Sequence, residues 1–427
     1  MKSSVPTNRL AGRNRHEIQQ RQHFPAEAGS HFRRGSGGCP ADAGLAEPQR
    51  HVLGKDGYTG ETEDGVFHVG DTWECRDDFT RWFTASVTVP ESFAGKPLAL
   101  NLEFGGEGIV RVNGKIISAI TSYLEPRDAT RTRVMLTESA KAGETYQVEI
   151  EAHLNYMEFN RFRRKGGVSI RYTIRTAALV TINRAVESYY FDIKTALDGI
   201  HTLENPLEKM LKSGAQLPEE VVRFFESVSK EDFYAHKLRE AALCSITCVD
   251  FDFDWETMLA SIPKAAETFR AAMKDISSST HGVIKFVGQA HIDTAWLWPI
   301  RESIRKSAKT LSNVCALMDQ YPEFTFAFSQ PQLFEFVKEN YPELYERVKE
   351  KVKSGQFELV GNTWVEMDAN IPSGESLVRQ ILYGRQYFLE EFGKCSDVFW
   401  MPDVFGYTWA LPQIIKRSGM KYFFTSK

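Results

Sequence analysis

This sequence of 427 residues is poor in cysteine and has no long apolar run. Its six cysteines show no paired spacing, which is typical of reduced thiols rather than of a disulfide framework. No stretch is apolar enough to cross a bilayer, and the first residues lack the apolar core of a signal peptide. A formal net charge of −4 gives no basic footprint for nucleic acid. We therefore expect a cytoplasmic protein that binds neither membrane nor nucleic acid.

Residues 1–50 differ in composition from the rest of the chain. They contain several arginines and the stretch Gly35-Ser-Gly-Gly38, but few large apolar side chains. Such a segment cannot bury a core, so we predict a disordered or non-native extension. The alternative is a basic arm that binds nucleic acid, which the lack of periodicity disfavours.

Apolar and polar residues alternate between about residues 65 and 180, which is the pattern of half-buried strands. The clearest runs are Phe83–Val89, Leu98–Phe104, Ile109–Val112 and Tyr146–Ile150. Asn113-Gly114 is a strong two-residue hairpin signal. Several short strands at this spacing favour a β-sandwich, which we assign to residues 51–180.

The remaining sequence changes pattern twice. Residues 181–280 repeat their apolar side chains at helical spacing, which predicts a helical connector. From residue 281 onward, helical stretches separate short apolar strands, namely Val283–Val287, Phe324–Phe328, Phe357–Val360, Val398–Trp400 and Tyr422–Phe424. Parallel strands joined by helices place their loops at the strand carboxyl ends, where α/β enzymes build their sites.

A histidine and an aspartate follow the first of these strands. The apolar run Val283–Val287 predicts a buried strand, and His291-Ile-Asp293 lies at its mouth. Side chains two residues apart on a strand point to the same side, so this pair can offer a metal one nitrogen and one oxygen ligand. An isolated His-x-Asp is more often a surface or hydrogen-bonding pair.

The stretch Trp400-Met-Pro-Asp403-Val-Phe-Gly406-Tyr407 repeats this layout. Its short apolar strand delivers Asp403 to the same end of the sheet, and a helix start follows at Leu411-Pro412. The structural alternative is that Asp403 caps the next turn.

Several other polar and aromatic residues have two readings. Trp296 and Trp298 could both be core residues, but Pro299 suggests a turn, so we favour only Trp296 in a pocket. Glu366 and Asp368 are either ion-pair partners at the mouth of the fold or ligands for substrate hydroxyls.

Together these stretches resemble the catalytic domain of glycoside hydrolase family 38, the retaining, metal-dependent α-mannosidases, in its cytosolic and vacuolar branch. The resemblance runs from about Gly282 to Lys427. It includes Ser329-Gln-Pro-Gln, Pro342-Glu-Leu-Tyr345, Pro372-Ser-Gly-Glu-Ser376, Arg379-Gln380 and Leu411-Pro-Gln-Ile414. The segment from Glu103 to Gly114 resembles the galactose-binding-like jelly roll that precedes this domain. The resemblance implies a multidomain protein with a jelly-roll sandwich, a helical connector and, over residues 281–427, the first part of a seven-stranded (β/α) barrel.

The resemblance also implies roles for individual residues. One divalent metal ion, usually zinc and in some relatives cobalt, would be held by His291, Asp293 and Asp403. Asp403 would also be the nucleophile that attacks the anomeric carbon. Trp296 would floor the mannose subsite, and Lys427 would place a cation beside the nucleophile. With Trp296, we count Lys427 and Asp368 as candidate substrate-binding residues. The implied reaction is hydrolysis of terminal α-mannosyl residues of oligosaccharides or glycans with retention, by an enzyme that could be a homo-oligomer.

Two groups that the family uses are not found in the sequence. The fourth metal ligand is a histidine downstream of the nucleophile, and the general acid is a downstream aspartate, yet no histidine follows His291. Three ligands leave a zinc site incomplete as the family builds it. We therefore expect an N-terminal fragment of a longer α-mannosidase, inactive by itself. The alternatives are another metal-dependent carbohydrate hydrolase, such as a polysaccharide deacetylase, and a noncatalytic sugar-binding module.

Overall fold

The computed structural model describes residues 45–54, 57–59, 66–76, 80–121, 130–163, 166–167, 169–204, 217–227, 233–274, 276 and 283–427. The described part of 181–283 belongs to one compact unit, and the described parts of 36–180 and 284–427 form another. The predicted disorder of residues 1–50 lies outside the described residues as far as residue 44. A strand over Leu45–Gly54 begins before the predicted boundary at residue 50.

The amino-terminal strands form an antiparallel sandwich. They are β1 (Leu45–Gly54), β2 (Gly57–Thr59), β3 (Val66–Phe67), β4 (Thr72–Arg76), β5 (Thr80–Thr88), β6 (Leu98–Glu103), β7 (Glu107–Val112), β8 (Lys115–Thr121), β9 (Arg133–Thr137), β10 (Thr145–His153), β11 (Ser169–Thr173) and β12 (Thr176–Thr181). The large sheet has the order β2-β1-β5-β10-β7-β8, with β3 beside β1. The order β12-β6-β9 and the pair β11-β4 form the smaller sheets.

Alternating burial explains why these residues form a sandwich. In β5 the side chains of Phe83 and its alternate neighbours face the core, while Thr84, Ser86 and Thr88 face outward. Phe83 packs edge-on against Trp73 at 5.6 Å and against Phe104 at 5.1 Å between ring centroids. The core therefore joins the large sheet to the smaller ones, as two facing sheets require.

The predicted hairpin is confirmed. Val112 pairs with Lys115, and both residues between them have positive φ, 50° at Asn113 and 77° at Gly114. These are the angles of a type I′ turn, which matches the twist of the flanking strands.

The sequence predicts a half-buried strand at Ile109–Val112, but strand β7 is buried on both faces. Val110 and Val112 belong to the sandwich core, while Ile109 belongs to a second apolar cluster that includes Leu311 and Tyr341 from the carboxyl-terminal part of the chain. Helices of that part cover the outer face of β7 and β8. Asn313 Oδ1 accepts hydrogen bonds from Ser118 Oγ at 2.7 Å and from the Ala119 amide at 2.8 Å.

Helices are found where the connector is predicted. After α1 (Tyr156–Arg163) in the sandwich part, the described helices are α2 (Arg184–Glu204), α3 (Glu219–Ser227), α4 (Phe233–Ile246) and α5 (Trp255–Lys274). Asp254 caps α5, because its Oδ1 accepts the Thr257 amide at 3.0 Å. Helices α2, α4 and α5 share a core that includes Tyr189, Ala241 and Phe269.

Parallel strands and helices alternate in the carboxyl-terminal part. The strands are β13 (Gly288–Gln289), β14 (Phe326–Phe328), β15 (Phe357–Leu359), β16 (Val398–Trp400) and β17 (Tyr422–Phe424). The helices are α6 (Ile300–Gln320), α7 (Pro331–Asn340), α8 (Pro342–Ser354), α9 (Gly374–Phe392) and α10 (Leu411–Arg417). Neighbouring strands follow chain order: β13-β14-β15 form one parallel sheet and β16-β17 another, and the Gly361 amide bonds the Val398 carbonyl at 3.1 Å between them.

The prediction of a buried strand at Val283–Val287 is wrong. The strand covers only Gly288–Gln289, and Val283 and Phe286 are 86% and 87% exposed. Pairing with β14 begins at Gly288 opposite Phe326, and the residues before Phe326 form a turn in which the Phe324 amide bonds the Tyr321 carbonyl. Residues 283–287 therefore have no partner strand on the side of β14. Among the described residues, no strand pairs with them on the opposite side either.

We expect Gly384→Ala to destabilise the fold. A Cβ at Gly384 in α9 would lie 2.4 Å from the Asn362 carbonyl oxygen and 2.7 Å from the Thr363 carbonyl carbon, both rigid backbone. Overpacking of this kind costs about 1–3 kcal/mol. Gly374→Ala is the matched control, because it lies on the same helix with nothing within 4 Å of the added carbon. Urea unfolding followed by circular dichroism measures both, and equal midpoints would contradict the close approach.

Candidate active site

The residues proposed from the sequence lie at the carboxyl ends of the parallel strands. His291 and Asp293 follow β13, Asp403 follows β16, and Lys427 follows β17. Because parallel strands end at one edge of a sheet, their loops meet there. The structure thus brings together residues that are more than a hundred positions apart in the chain.

His291 is the centre of this group. Its Nε2 lies 3.5 Å from Asp293 Oδ1 and 3.9 Å from Asp403 Oδ2. Its Nδ1 lies 2.8 Å from Glu366 Oε2. A proton on Nδ1 shared with Glu366 leaves the Nε2 lone pair directed at the two aspartates. The contact of this ring with the Glu366 carboxylate, which accepts the ring proton, is the main cause of a raised pKa at His291, and partial burial opposes it.

Glu366 is a buried carboxylate that connects three strand ends. Its side chain is 2% exposed, and its Oε1 accepts a hydrogen bond from Ser329 Oγ at 2.5 Å. The Glu366 amide donates to Gln330 Oε1 at 3.1 Å, and Gln330 Nε2 donates to the Ile292 carbonyl at 2.8 Å. Of the two readings left open for Glu366, the structure favours an ion-pair partner, because its oxygens face His291 and Ser329.

Asp403 is ionised and accessible. Its Oδ1 lies 2.6 Å from Lys427 Nζ, and its side chain is 43% exposed. The bond from Lys427 is the main cause of a lowered pKa at Asp403, with a smaller contribution from the charge of His291. The Lys427 ammonium also lies 4.5 Å from the centre of the Phe405 ring. A carboxylate held ionised and open to solvent can act as a nucleophile or a metal ligand.

The two tryptophans have different surroundings. Trp296 is 57% exposed, whereas Trp298 packs against the sandwich core and its Nε1 donates to Ser303 Oγ at 3.1 Å. Their rings meet edge to face at 5.5 Å. Trp296 therefore offers a free aromatic face near the strand ends, and Trp298 does not.

Asp368 is exposed and caps a turn. Its Oδ1 accepts the amides of Asn370 and Ile371, both at 2.8 Å, and these bonds lower its pKa. One of its oxygens is thus committed to the backbone. A substrate role for Asp368 stays a prediction.

The donor set around His291 fits a divalent metal in its chemistry, and both aspartates lie near His291 Nε2. One imidazole nitrogen and two carboxylate oxygens are ligands that zinc accepts. Donors 2.0–2.1 Å from a tetrahedral ion lie about 3.3 Å apart, close to the 3.5 Å and 3.9 Å separations from His291 Nε2. Glu366 on the other ring nitrogen completes the carboxylate–histidine arrangement usual behind metal-binding imidazoles.

A second group of donors, not anticipated from the sequence, lies between the sandwich and α6. Ligand atoms of Glu107, His153 and Glu302 all lie within 4.8 Å of one another and are buried, a tighter grouping than the one around His291. Burial raises the pKa of Glu302 to about 7 and lowers that of His153.

Basic side chains already neutralise the carboxylates of this buried group. Lys309 Nζ lies 3.0 Å from Glu302 Oε1 and also contacts Glu107, and Lys306 Nζ lies 3.9 Å from each of these carboxylates. Arg305 adds a third positive charge, 3.7 Å from Glu302 Oε2. A divalent metal would meet these charges, so we interpret the group as an ionic network that joins the two domains.

Family comparisons agree with the motifs. Residues 281–427 match the glycosyl hydrolases family 38 N-terminal domain, and residues 60–180 match the alpha-mannosidase jelly roll domain. The resemblance inferred from the motifs is therefore confirmed, and the sandwich is a jelly roll. No helix among the described residues combines the length and apolar character needed to cross a membrane.

Individual relatives cover most of this chain. It is 33% identical over 365 residues to alpha-mannosidase 2C1 of Homo sapiens, which covers 84% of this chain and 31% of the relative. It is 30% identical over 362 residues to an alpha-mannosidase of Saccharomyces cerevisiae, which covers 82% of this chain and 30% of the relative. The chain thus spans about a third of the length of these relatives. An alpha-mannosidase from Enterococcus faecalis V583 matches at 26% identity with a TM-score of 0.31, over 33% of this chain and 16% of that one.

We expect Glu366→Gln to lower the pKa of His291. The neutral amide cannot stabilise the imidazolium, and burial, which opposes that charge, remains. A pH titration of the histidine ring protons by NMR, in metal-free protein with His291 assigned through His291→Ala, measures the change. Glu375→Gln removes an exposed carboxylate that pairs with Arg379 and serves as the charge-matched control. An unchanged His291 midpoint in Glu366→Gln would show that the short contact does not hold in solution.

Proposed function

We propose that this chain, in which a glycosyl hydrolase family 38 N-terminal domain follows an α-mannosidase jelly roll, is part of a retaining α-mannosidase. The substrates are terminal α-mannosyl residues of oligosaccharides or glycans. The parallel strands would be the first part of the family's seven-stranded barrel. The observation that carries the proposal is the meeting of His291, Asp293 and Asp403 at one strand edge, with Lys427 beside Asp403.

Asp403 is the proposed nucleophile. Its lowered pKa keeps the carboxylate ionised at neutral pH, and its exposure lets the anomeric carbon of a sugar approach. Its Oδ1 is engaged by Lys427, and its Oδ2 lies on the side of His291. Attack forms a bond from Asp403 to the anomeric carbon as the glycosidic bond breaks, and a second displacement by water restores the configuration.

His291, Asp293 and Asp403 would hold one divalent metal ion, zinc or cobalt. Such an ion supplies a Lewis acid that orients sugar hydroxyls beside the nucleophile. Glu366 keeps the His291 ring turned with Nε2 toward the aspartates. Trp296 would floor the mannose subsite through its exposed face, and Asp368 would contact a hydroxyl through the oxygen that the turn does not use.

Neither Asp293 nor Glu366, the carboxyl groups near Asp403, is placed to protonate a leaving group in this proposal. Asp293 is a proposed ligand, and the Glu366 side chain is buried between His291 and Ser329. General acid help is worth about 10²–10⁴-fold, so we expect slow turnover of ordinary α-mannosides by these 427 residues alone. Substrates with a strongly acidic leaving phenol do not need that proton.

The surroundings of the protein are also proposals. The described cysteines Cys244, Cys248, Cys315 and Cys395 are free thiols, which supports a reducing cytoplasm. Mannose-containing oligosaccharides would be the partners, with no nucleic acid and no membrane. Assembly of the full-length enzyme into a homo-oligomer stays a prediction.

We expect 2,4-dinitrophenyl α-mannoside with added zinc to label Asp403 with one mannosyl unit, and Asp403→Asn to abolish labelling. The amide has the shape of the carboxylate but no anionic oxygen. Peptide mapping by mass spectrometry locates the adduct. Asp397→Asn is the matched control, because Asp397 pairs with Lys421 at 2.6 Å before the same two strands. An adduct on another carboxylate would remove Asp403 from the mechanism, and release of mannose without any adduct would favour a different class of hydrolase.

We expect His291→Ala and Asp293→Ala to lose tightly bound zinc, and Glu366→Gln to weaken zinc binding about 10- to 100-fold through the unsupported ring. Competition with a chromophoric chelator measures each affinity without reference to activity. Because zinc must displace a proton from His291, affinity in the unmodified chain should fall as the pH drops through the raised pKa of that residue. His68→Ala, on the exposed surface of the jelly roll, is the control. Undiminished affinity in His291→Ala would place the metal elsewhere, with Glu107, His153 and Glu302 as the next group to mutate.

A further inference from the structure

We propose that the jelly roll is a positioning element of the active site. It would act through Asn160 and Trp298, which hold the loop that carries Asp293 and Trp296. We call residues 290–299 the site loop. The importance of Trp296 for sugar binding rests on the proposed function, whereas its positioning by the jelly roll can be measured without any sugar.

The first half of the site loop is fixed by the catalytic domain itself. Gln330 Nε2 donates to the Ile292 carbonyl at 2.8 Å, and Thr294 Oγ1 donates to Gln330 Oε1 at 3.2 Å. Ser303, near the start of α6, donates its hydroxyl to the Thr294 carbonyl. These bonds flank Asp293 on both sides and keep its carboxylate near His291.

The second half of the site loop is fixed by the jelly roll. Asn160 Nδ2 donates to the Leu297 carbonyl at 2.8 Å, across 137 positions of sequence. The next residue, Trp298, packs its ring against the apolar core of the sandwich. Trp296 is thus held between a catalytic-domain anchor at Thr294 and jelly-roll anchors at Leu297 and Trp298.

Asn160 is itself rigidly placed. It lies on α1, where Tyr156 and Phe159 are buried in the jelly-roll core. Asn155 caps the helix, with its Oδ1 accepting the amides of Met157 and Glu158 at 3.0 and 3.2 Å. The donor that reaches the site loop therefore moves only with the sandwich.

The two domains are also joined directly behind the loop. Helix α6 begins at Ile300, immediately after the site loop, and Arg305 of this helix donates to Thr80 Oγ1 in β5. One turn further, Lys309 contacts Glu107 in β7. These two contacts in the first half of α6 fix the distance between the jelly roll and the strand ends.

The consequence for the site concerns the ring of Trp296. Its edge-to-face contact with Trp298 at 5.5 Å transmits the jelly-roll anchor to the exposed face that would stack on mannose. Stacking depends on orientation, and small displacements of a positioning group reduce binding strongly. The jelly roll would therefore tune mannoside affinity while leaving the metal ligands in place.

Asn160→Asp tests the anchor, because aspartate has the same shape but an anionic oxygen where the donor stood. With 5-fluorotryptophan incorporated, the fluorine resonance of Trp296, assigned through Trp296→Phe, should shift or broaden in Asn160→Asp and in Asn160→Ala. Zinc affinity and melting temperature should stay close to those of the parent chain. Met157→Ala, an exposed residue on the same helix, is the control and should leave the resonance unchanged.

The functional arm uses 1-deoxymannojirimycin, a mannose-shaped iminosugar, in calorimetric titrations of the zinc-loaded chain. We expect Asn160→Asp to bind it about 5- to 10-fold more weakly, the size of one net hydrogen bond. A Trp296 resonance that is unmoved in both Asn160 variants overturns the inference, and so does equal iminosugar affinity in parent and variants. Failure of the parent chain to bind the iminosugar would count against the proposed function instead, and the fluorine spectra would still decide whether the jelly roll positions the loop.

Discussion

The burial of one carboxylate, Glu366, organises the candidate site. A carboxylate whose side chain is 2% exposed needs polar partners, and here Ser329 Oγ donates to Oε1 while His291 Nδ1 lies 2.8 Å from Oε2, both from other strand ends. With Nδ1 beside Glu366, Nε2 is the ring nitrogen that remains. Nε2 therefore faces Asp293 and Asp403, so the arrangement of the proposed metal ligands depends on a residue that is not itself a proposed ligand. The Glu366 carboxylate also raises the pKa of His291, so a metal proposed to bind that imidazole would compete with a proton.

The second constraint is that one loop belongs to two domains. Asp293 lies on the part of the site loop held by Gln330 and Ser303, whereas Trp296 borders the part held by Asn160 and Trp298. The proposed metal ligand and the proposed sugar platform therefore have separate partners besides Ser303, which donates to the Thr294 carbonyl and accepts from Trp298 Nε1. The buried ion pairs between β7 and α6 have no role in the proposed reaction, but they hold the two domains at a constant separation. Separating Lys309 from its carboxylates would leave a buried charge unpaired.

Local sequence signals predicted the elements whose stability is local. Asn113-Gly114 is the predicted turn, and β16 and β17 have the predicted bounds, since apolar residues bounded by turns define them without reference to neighbours. Val283–Val287 carries the same apolar signal but has no pairing partner, because the chain turns before Phe326. Burial on both faces of β7 could not be read from its alternation either, since the second face depends on helices two hundred positions away. The sequence could not predict that Glu366 orients His291 for the same reason. Glu366, Ser329 and His291 follow three different strands, and only the folded structure brings them together.

Two Asp–Lys pairs on the same strands show what separates a structural pair from a reactive one. Asp397 and Lys421 precede β16 and β17, and Asp403 and Lys427 follow them, with the same 2.6 Å separation in each pair. The charge and spacing of the ion pair therefore do not distinguish Asp403 from Asp397. At the carboxyl ends His291 approaches the second oxygen of the aspartate, and the loops of β13 and β15 add Asp293 and the buried Glu366 behind it. The direction of the parallel strands decides which of the two ion pairs lies beside His291, and so which end of the sheet can carry the proposed chemistry.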